Sequence, residues 1–133
     1  TDLCTSAFLQ KITVKFFQKN YFDANVKKIV ELYRGKLNAM IGAFEKYMPE
    51  GVSWTHPEGG LFLFLTLPEQ YDAEDLFKIA IEKNVAFVLG TVFFCNGKGK
   101  NTMRINFSYM SEEQNIEGVK RLAEAIKELY AKK

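Results

Sequence analysis

The strongest constraint on the fold is a run of seven residues, LFLFLTL at Leu61–Leu67, that is apolar on both of the faces a strand would present. A glycine-containing turn at Pro57–Gly60 precedes the run and Pro68 ends it, so its length suits a β-strand and is far too short to span a membrane. Strands without polar–apolar alternation are typical of the interior of a sheet that is covered on both sides. We therefore predict that Leu61–Leu67 forms a central, covered strand.

Three helices are predicted from apolar residues that recur at steps of three and four. The longest covers Ala24–Met48, a shorter one has Asp72 as its N-cap and runs to about Lys83, and the capping-box pattern at Ser111–Gln114 starts the last. Residues 6–19 are rich in apolar side chains with mixed periodicity, and we interpret them as a further helix. A turn at residues 20–23 then caps the longest helix.

Further strands are predicted at Val52–Thr55, Ala86–Leu89 and Thr102–Ser108. The alternation in the last strand places two sets of side chains on opposite faces: Met103, Ile105 and Phe107 on one, and Thr102, Arg104, Asn106 and Ser108 on the other. Paired strands between helices indicate an α/β fold, a two-layer α/β sandwich whose small mixed or antiparallel sheet has its helices on one face. Arg104 beside large apolar residues on the other face suggests a missing partner, unless the helix at 6–19 covers part of that face.

Composition argues against two classes of partner. The 133 residues carry a net charge of only +2, without a basic cluster of the kind that binds nucleic acid or an anionic membrane. The start of the sequence has no signal-peptide pattern. Cys4 and Cys95 lie far apart and lack metal-ligand spacing, so we expect buried free thiols in a reducing, cytoplasmic compartment.

No catalytic or metal-binding set is evident from the residue pattern. His56, the single histidine, precedes Pro57 in a turn and has no accompanying nucleophile motif, which favours a surface histidine. The His, Cys, Asp and Glu residues do not have metal-ligand spacing. The stretch Gly97–Lys100 lacks the strand–loop–helix context of a phosphate-binding loop, and a solvated connection is the favoured interpretation.

Two features leave a functional and a structural interpretation open. The pair Gly59–Gly60 at the start of a strand indicates either a turn or a place where a ligand or another backbone comes close. Arg104, in the middle of a strand, is either a two-donor clamp for a carboxylate or an ordinary outward-facing arginine paired with a nearby acid.

Three stretches resemble, in order and spacing, the C-terminal domain of fold-type I, or class I, aminotransferases. They are WTHPEGGLFLFLTLP at Trp54–Pro68, VAFVLGTVFF at Val85–Phe94 and TMRINFSYMSEEQNIEGVKRLAEAI at Thr102–Ile126. They are most similar to the kynurenine/2-aminoadipate and aromatic aminotransferase branch. Tyr33–Trp54 also looks like the long helix before that domain's first strand. The resemblance covers essentially the whole chain but only the C-terminal part of such an enzyme.

The resemblance implies a pyridoxal-phosphate-dependent transfer of an amino group between an amino acid and a 2-oxo acid. Arg104 would bind the substrate α-carboxylate, Gly60 would lie near the substrate mouth, and the parent would be a homodimer. Residues 1–20 would leave a large cofactor-binding domain, and residues 21–133 would form the small domain. The family's Schiff-base lysine motif does not occur in this sequence, so the chain is expected to be inactive alone. Leu89 before Gly90 also departs from the family's V-x-P-G turn.

Two other functions remain open from the sequence. A transcriptional regulator with an aminotransferase-like effector domain would carry the same motifs, and only a helix-turn-helix segment ahead of this sequence would distinguish it. A freestanding α/β ligand-binding module would have no catalytic parent. The side chain of the substrate is not predicted, because the residues that select it in this family lie largely outside this chain.

Overall fold

The fold is described for residues 4–132 of a computed structural model. The chain divides into two compact units, residues 1–34 and residues 35–133, and each is described by itself.

The first unit is helical and has no buried side chain among its described residues. It contains α1 (Ala7–Gln18) and the first part of α2 (Tyr21–Tyr47). The helix expected at residues 6–19 is therefore confirmed, but the turn expected at residues 20–23 is shorter. It is limited to residues 19–20 because Asn20 adopts a left-handed conformation, with φ of 56°, which asparagine tolerates. Ring contacts within this unit join Phe17 to Phe22 and Phe16 to Tyr21, with centroids 4.8 Å and 5.9 Å apart.

The second unit contains a four-stranded antiparallel sheet. Its strands are β1 (Ser53–Trp54), β2 (Phe62–Thr66), β3 (Val88–Leu89) and β4 (Thr102–Asn106). The order across the sheet is β1-β2-β4-β3, so β2 and β4 are the two interior strands. The prediction that the apolar run forms a central strand is confirmed.

The strands are shorter than the residue pattern indicates, mainly at their ends. Asn106 ends β4, since its side-chain oxygen accepts hydrogen bonds from the backbone N–H groups of Ser108 and Tyr109 and so turns the chain. The strand expected at Ala86–Leu89 is reduced to two residues, and Val88 is 39% exposed. The expectation that this strand is buried was therefore wrong, because Val88 lies on the open side of the sheet.

Local capping explains where the helices of the second unit begin. Asp72 accepts a hydrogen bond from the backbone N–H of Glu74 at 2.8 Å and so caps α3 (Ala73–Glu82). Ser111 and Gln114 form the complete capping box that starts α4 (Glu112–Ala131). Both starts agree with the sequence-based expectation.

The helices of this unit pack on one face of the sheet. The buried side chains there come from both layers: Met40, Ala43, Phe44, Leu63, Leu65, Leu67, Leu76, Ile79, Met103, Phe107, Val119, Leu122 and Ile126. Burial of each large side chain contributes roughly 2 kcal/mol. The structure is thus the expected two-layer α/β sandwich, but the second side of β2 is only partly covered. Phe62, on its other side, is 40% exposed, so the expectation that both faces are covered was wrong for the described residues.

Two further findings bear on the surface. None of the helices within residues 4–132 combines the length and the apolar character needed to cross a membrane. Cys4 and Cys95 are free thiols, but both are exposed, which corrects the expectation that they are buried. Cys4 precedes α1 and Cys95 follows the turn after β3, so neither lies in the packed layers.

Candidate functional site

The open face of the sheet, opposite the helices, is formed by residues that the strand register places side by side. Arg104 of β4 lies directly opposite Phe64 of β2 and Val88 of β3, and Asn106 lies opposite Phe62. Directly opposed residues in antiparallel strands project to the same face. The open face therefore combines aromatic and aliphatic side chains with a single cation, Arg104, at its centre.

The guanidinium of Arg104 lies against two aromatic rings. Its Cζ atom is 4.1 Å from the ring centroid of Phe62 and 4.8 Å from that of Phe93. Both distances are within the range of a cation–π interaction. Phe62 lies two residues nearer the start of β2 than Phe64, the register partner of Arg104. The Arg104 side chain therefore leans toward the end of the sheet where β2 starts.

Arg104 has no acidic partner among residues 4–132. The ion pairs within the described chain use other cations, and no described side chain or carbonyl accepts a hydrogen bond from Arg104. Its Nε atom is buried and has no hydrogen-bond partner. A half-buried guanidinium in apolar surroundings is costly unless an anion or an acceptor reaches it. This face is therefore suited to bind a small anionic group.

Gly60 lies at the end of the sheet toward which Arg104 leans. It has φ of 86°, a conformation that favours glycine, and a Cβ atom built on it would have no heavy atom within 4 Å. The carbonyl of the next residue, Leu61, accepts a hydrogen bond from the N–H of Phe107 at 3.2 Å, which joins the ends of β2 and β4. Gly60 is exposed, so this turn leaves room beside the open face.

The other residues singled out from the sequence lie apart from Arg104. His56 is exposed, and its ring is 6.4 Å from that of Trp54, whose register partner Leu65 lies on the covered face. Gly99, in the stretch proposed as a solvated connection, lies under the ring of Phe94, where a side chain would collide. Within residues 4–132, no three His, Cys, Asp or Glu side chains are grouped to hold a metal ion.

A cavity of about 540 Å³ lies on the helix side of the sheet and involves neither Arg104 nor Gly60. Its walls include Met40, Ile105 and Leu122, and the charged residues at its rim include Glu117 and Arg121, which pair with each other at 2.9 Å. No unsatisfied buried polar side chain points to a ligand there. The open face is therefore the better candidate.

Phe93 is the site residue that sequence reasoning missed. It ends a 3₁₀ turn, Gly90–Phe93, that follows β3 and contacts β4. A side chain at Gly90 would collide with Thr102, so the turn lies close against the strand that carries Arg104. The adjacent phenylalanines at positions 93 and 94 are the signal that the sequence offers for this contact.

Known proteins resemble this chain over nearly its whole length. The sequence model of the family described as aminotransferase class I and II matches residues 1–122. Aromatic-amino-acid aminotransferase 1 of Thermococcus litoralis is 49% identical over 127 residues, which are 96% of this chain and 30% of that protein. The 2-aminoadipate transaminase of Thermus thermophilus is 40% identical over 123 residues, which are 92% of this chain and 31% of that protein.

A solved structure gives the same result. The crystal structure of the multiple substrate aminotransferase from Thermococcus profundus has a TM-score of 0.94 and 48% identity, and the match covers 99% of this chain and 33% of that one. More distant matches include an uncharacterized HTH-type transcriptional regulator of Bacillus subtilis, 25% identical over 132 residues. This chain spans about 30% of the length of the curated aminotransferases that it matches. On the family match and these identities, the chain belongs to the class I and II aminotransferases.

Proposed function

We propose that this chain is the C-terminal small domain of an aminotransferase and that Arg104 binds the α-carboxylate of the amino acid substrate. The observation that carries the proposal is a guanidinium on an open sheet face, in contact with rings and without an acidic partner among the described residues. A guanidinium presents paired N–H groups that match the two oxygens of a carboxylate. Such a fork would fix the orientation of the substrate and hold its amine at the reacting centre.

Membership of the family implies dependence on pyridoxal phosphate. The residues of the open face do not fit an anchor for that group, because the side chains that β2, β3 and β4 place there include one cation, an arginine, and no lysine. Because the family's Schiff-base lysine motif is also absent from this sequence, we assign the chemistry at the cofactor to a part of the protein outside this chain. What this chain would contribute is binding and orientation of the substrate carboxylate and one wall of the cleft.

This chain covers only about 30% of the length of its relatives, which supports different roles for this domain and for the rest of the enzyme. In this proposal, residues 1–20 form the segment that leaves a large cofactor-binding domain, residues 21–133 form the small domain, and Gly60 lies at the substrate mouth. The partners are an amino acid, a 2-oxo acid and the large domain, and the whole enzyme is a homodimer. Residues elsewhere in that enzyme would determine the specificity for the side chain of the substrate.

The degree of similarity favours an enzyme over a transcriptional regulator or a freestanding ligand-binding module. Relatives that are aminotransferases reach 40–49% identity, whereas the regulator noted above reaches 25%. The coverage of about 30% of each relative also disfavours a freestanding module. A helix-turn-helix segment ahead of this sequence in the gene would overturn the choice of an enzyme.

The clamp is tested by Arg104→Ala in the full-length protein that carries this chain. We expect kcat/KM for amino acid substrates to fall by on the order of a hundredfold or more, because a buried charge pair with hydrogen bonds contributes roughly 2–5 kcal/mol. The melting temperature should change little, since the side chain makes no ion pair within the described chain. Steady-state kinetics and thermal unfolding measure the two effects separately.

Arg121→Ala is the matched control. Arg121 is also an arginine of the second unit, but it is 42% exposed and pairs with Glu117 on the surface of α4. It should leave kcat/KM unchanged, because exposed pairs of this kind contribute little. A variant Arg104→Ala with normal kcat/KM would show that Arg104 is not the clamp, whatever its effect on stability.

A further inference from the structure

The rings of Phe62 and Phe93 occupy the place beside Arg104 where a buried arginine normally has an acid. We propose that these two phenylalanines are positioning residues, which hold the guanidinium in the orientation that receives a carboxylate. The inference rests on the function proposed above and adds the residues through which Arg104 acts. Neither ring needs to touch the carboxylate for this role.

Binding of a carboxylate requires that the flexible side chain of Arg104 is held in place. Arginine has several rotatable bonds, and a hydrogen-bonded partner usually restricts them. No described residue accepts a hydrogen bond from Arg104, and its Nε atom is buried without a partner. Among the described residues, the ring contacts at 4.1 Å and 4.8 Å are therefore the specific restraints on the guanidinium.

An aromatic ring restrains a guanidinium in a different way from an acid. An acid would neutralise the guanidinium and occupy the same N–H groups that a carboxylate ligand needs. An aromatic ring instead attracts the cation through its face and accepts none of those in-plane donors strongly. The two ring contacts thus restrain the guanidinium while leaving its charge and its donors available to a ligand.

The rings of Phe62 and Phe93 are themselves held in place by the fold. Phe62 belongs to β2, whose pairing with β4 fixes it diagonally across from Arg104. Phe93 ends the 3₁₀ turn that Gly90 places against Thr102, and the ring of Phe64 meets it edge to face at 5.9 Å. The two rings therefore approach Arg104 from separate elements, β2 and the 3₁₀ turn, and the ring of Phe64 on β2 also supports Phe93.

The test measures preference for a carboxylate in the full-length, cofactor-loaded protein. Competitive inhibition constants are determined for 3-phenylpropanoate and for 3-phenylpropanamide, which share size and side chain and differ in the carboxylate. The ratio of the two constants reports carboxylate recognition and cancels effects on the rest of the cleft. Phe62→Leu and Phe93→Leu remove a ring, and Phe62→Tyr and Phe93→Tyr keep one. Phe94→Leu is the control, because its ring contacts Phe64 at 6.3 Å and is not against Arg104.

We expect each leucine variant to lower the carboxylate preference by about tenfold, on the order of one cation–π contact, while the tyrosine variants and Phe94→Leu keep it. Phe62 and Phe93 are 40% and 47% exposed, so these variants should still fold. The proposal is wrong if both leucine variants keep the full preference while Arg104→Ala abolishes it, a result that leaves the clamp intact. If Arg104→Ala also keeps the preference, the clamp and the positioning role are both wrong.

Discussion

Gly60 illustrates how a single residue can be required for its backbone, for the space around it, or for both. Its φ of 86° lies in the region that costs other L-residues about 1–2 kcal/mol. We therefore expect Gly60→Ala to lower the free energy of unfolding by about 1 kcal/mol, measured by urea denaturation. Gly59→Ala is the control, since Gly59 does not have a positive φ and has open space around it. Equal effects of the two changes would contradict the conformational explanation.

Gly60→Asn separates the two requirements, because asparagine tolerates a left-handed conformation but carries a side chain. We expect nearly unchanged stability and a several-fold lower kcat/KM in the full-length protein, if the turn lies at the substrate mouth as proposed. Normal kcat/KM with normal stability would limit Gly60 to a structural role. Steady-state kinetics and urea denaturation of the same variant provide both numbers.

The residue pattern was informative about which side of a strand each side chain occupies, but not about what surrounds it. Alternation along residues 102–108 placed Arg104 on the open face, and the register confirms that placement. The contact with Phe93 could not be predicted, because it depends on how closely Gly90 approaches Thr102 in the folded chain. Local periodicity carries no information on such tertiary approaches.

At the scale of helices, the capping box of α4 can be compared with a helix start that lacks one. The Ser111 hydroxyl accepts a hydrogen bond from the N–H of Gln114, whereas Ser6, at the same position before α1, makes no capping hydrogen bond. Ser111→Ala should therefore cost about 1 kcal/mol of stability, and Ser6→Ala close to nothing. Thermal unfolding of both variants checks this, and a similar loss from Ser6→Ala would count against the capping explanation.

The end of α4 provides a pH-dependent contact between elements. Hydrogen bonds from Lys132 and then Lys83 hold the pKa of Glu128 below its ordinary value. A carboxylate with a lowered folded-state pKa stabilises the fold above its unfolded pKa, and that contribution disappears as the pH falls through the folded pKa. We expect Glu128→Gln to lower stability at pH of about 7 and to have no effect once the pH is well below about 4.

Urea denaturation at the two pH values measures this difference, and added salt should reduce it, since the group is exposed. Glu124→Gln is the control, because Glu124 is on the same helix and has no ion pair within the described chain. A destabilisation by Glu128→Gln that persists unchanged in acid would exclude the ionic contact as its cause.

Sequence reasoning located the helices within a few residues and the strand ends less well. Helix boundaries follow from local signals such as Asp72 and Ser111, which act within one turn. Strand ends depend on the partner strand, and β3 extends only as far as it can pair with Arg104 and Met103. The exposure of Phe62 likewise could not be predicted from the run LFLFLTL. An apolar strand has the same residue pattern whether its own chain or another molecule covers it.

In the molecule as a whole, burial is confined to the second unit. The described buried side chains begin at Met40, whereas large apolar residues of the first unit such as Phe8, Leu9 and Phe17 are more than half exposed. Local opening is easiest where few side chains are buried. We expect limited trypsin digestion of this chain to cut first after Lys11, Lys15 or Lys19 and to leave a fragment containing the sheet.

Mass spectrometry of the early products identifies the cut sites. The same digestion of the full-length protein should protect these lysines if the large domain of the proposed enzyme covers the first unit. Early cleavage within the exposed tip at Lys98 or Lys100, with residues 4–34 intact, would contradict the expected order.

The strand order has a consequence for how the protein is made. β4 follows β2 and β3 in the chain but lies between them in the sheet, so it must insert into a gap that the earlier strands cannot close by themselves. During synthesis, β2 and β3 therefore emerge with unpaired edges, which are prone to aggregate until they are joined. The insertion of β4 also delivers Arg104, so an incompletely folded chain would lack the carboxylate site proposed above, and ligand binding at that site would report on the completion of the sheet.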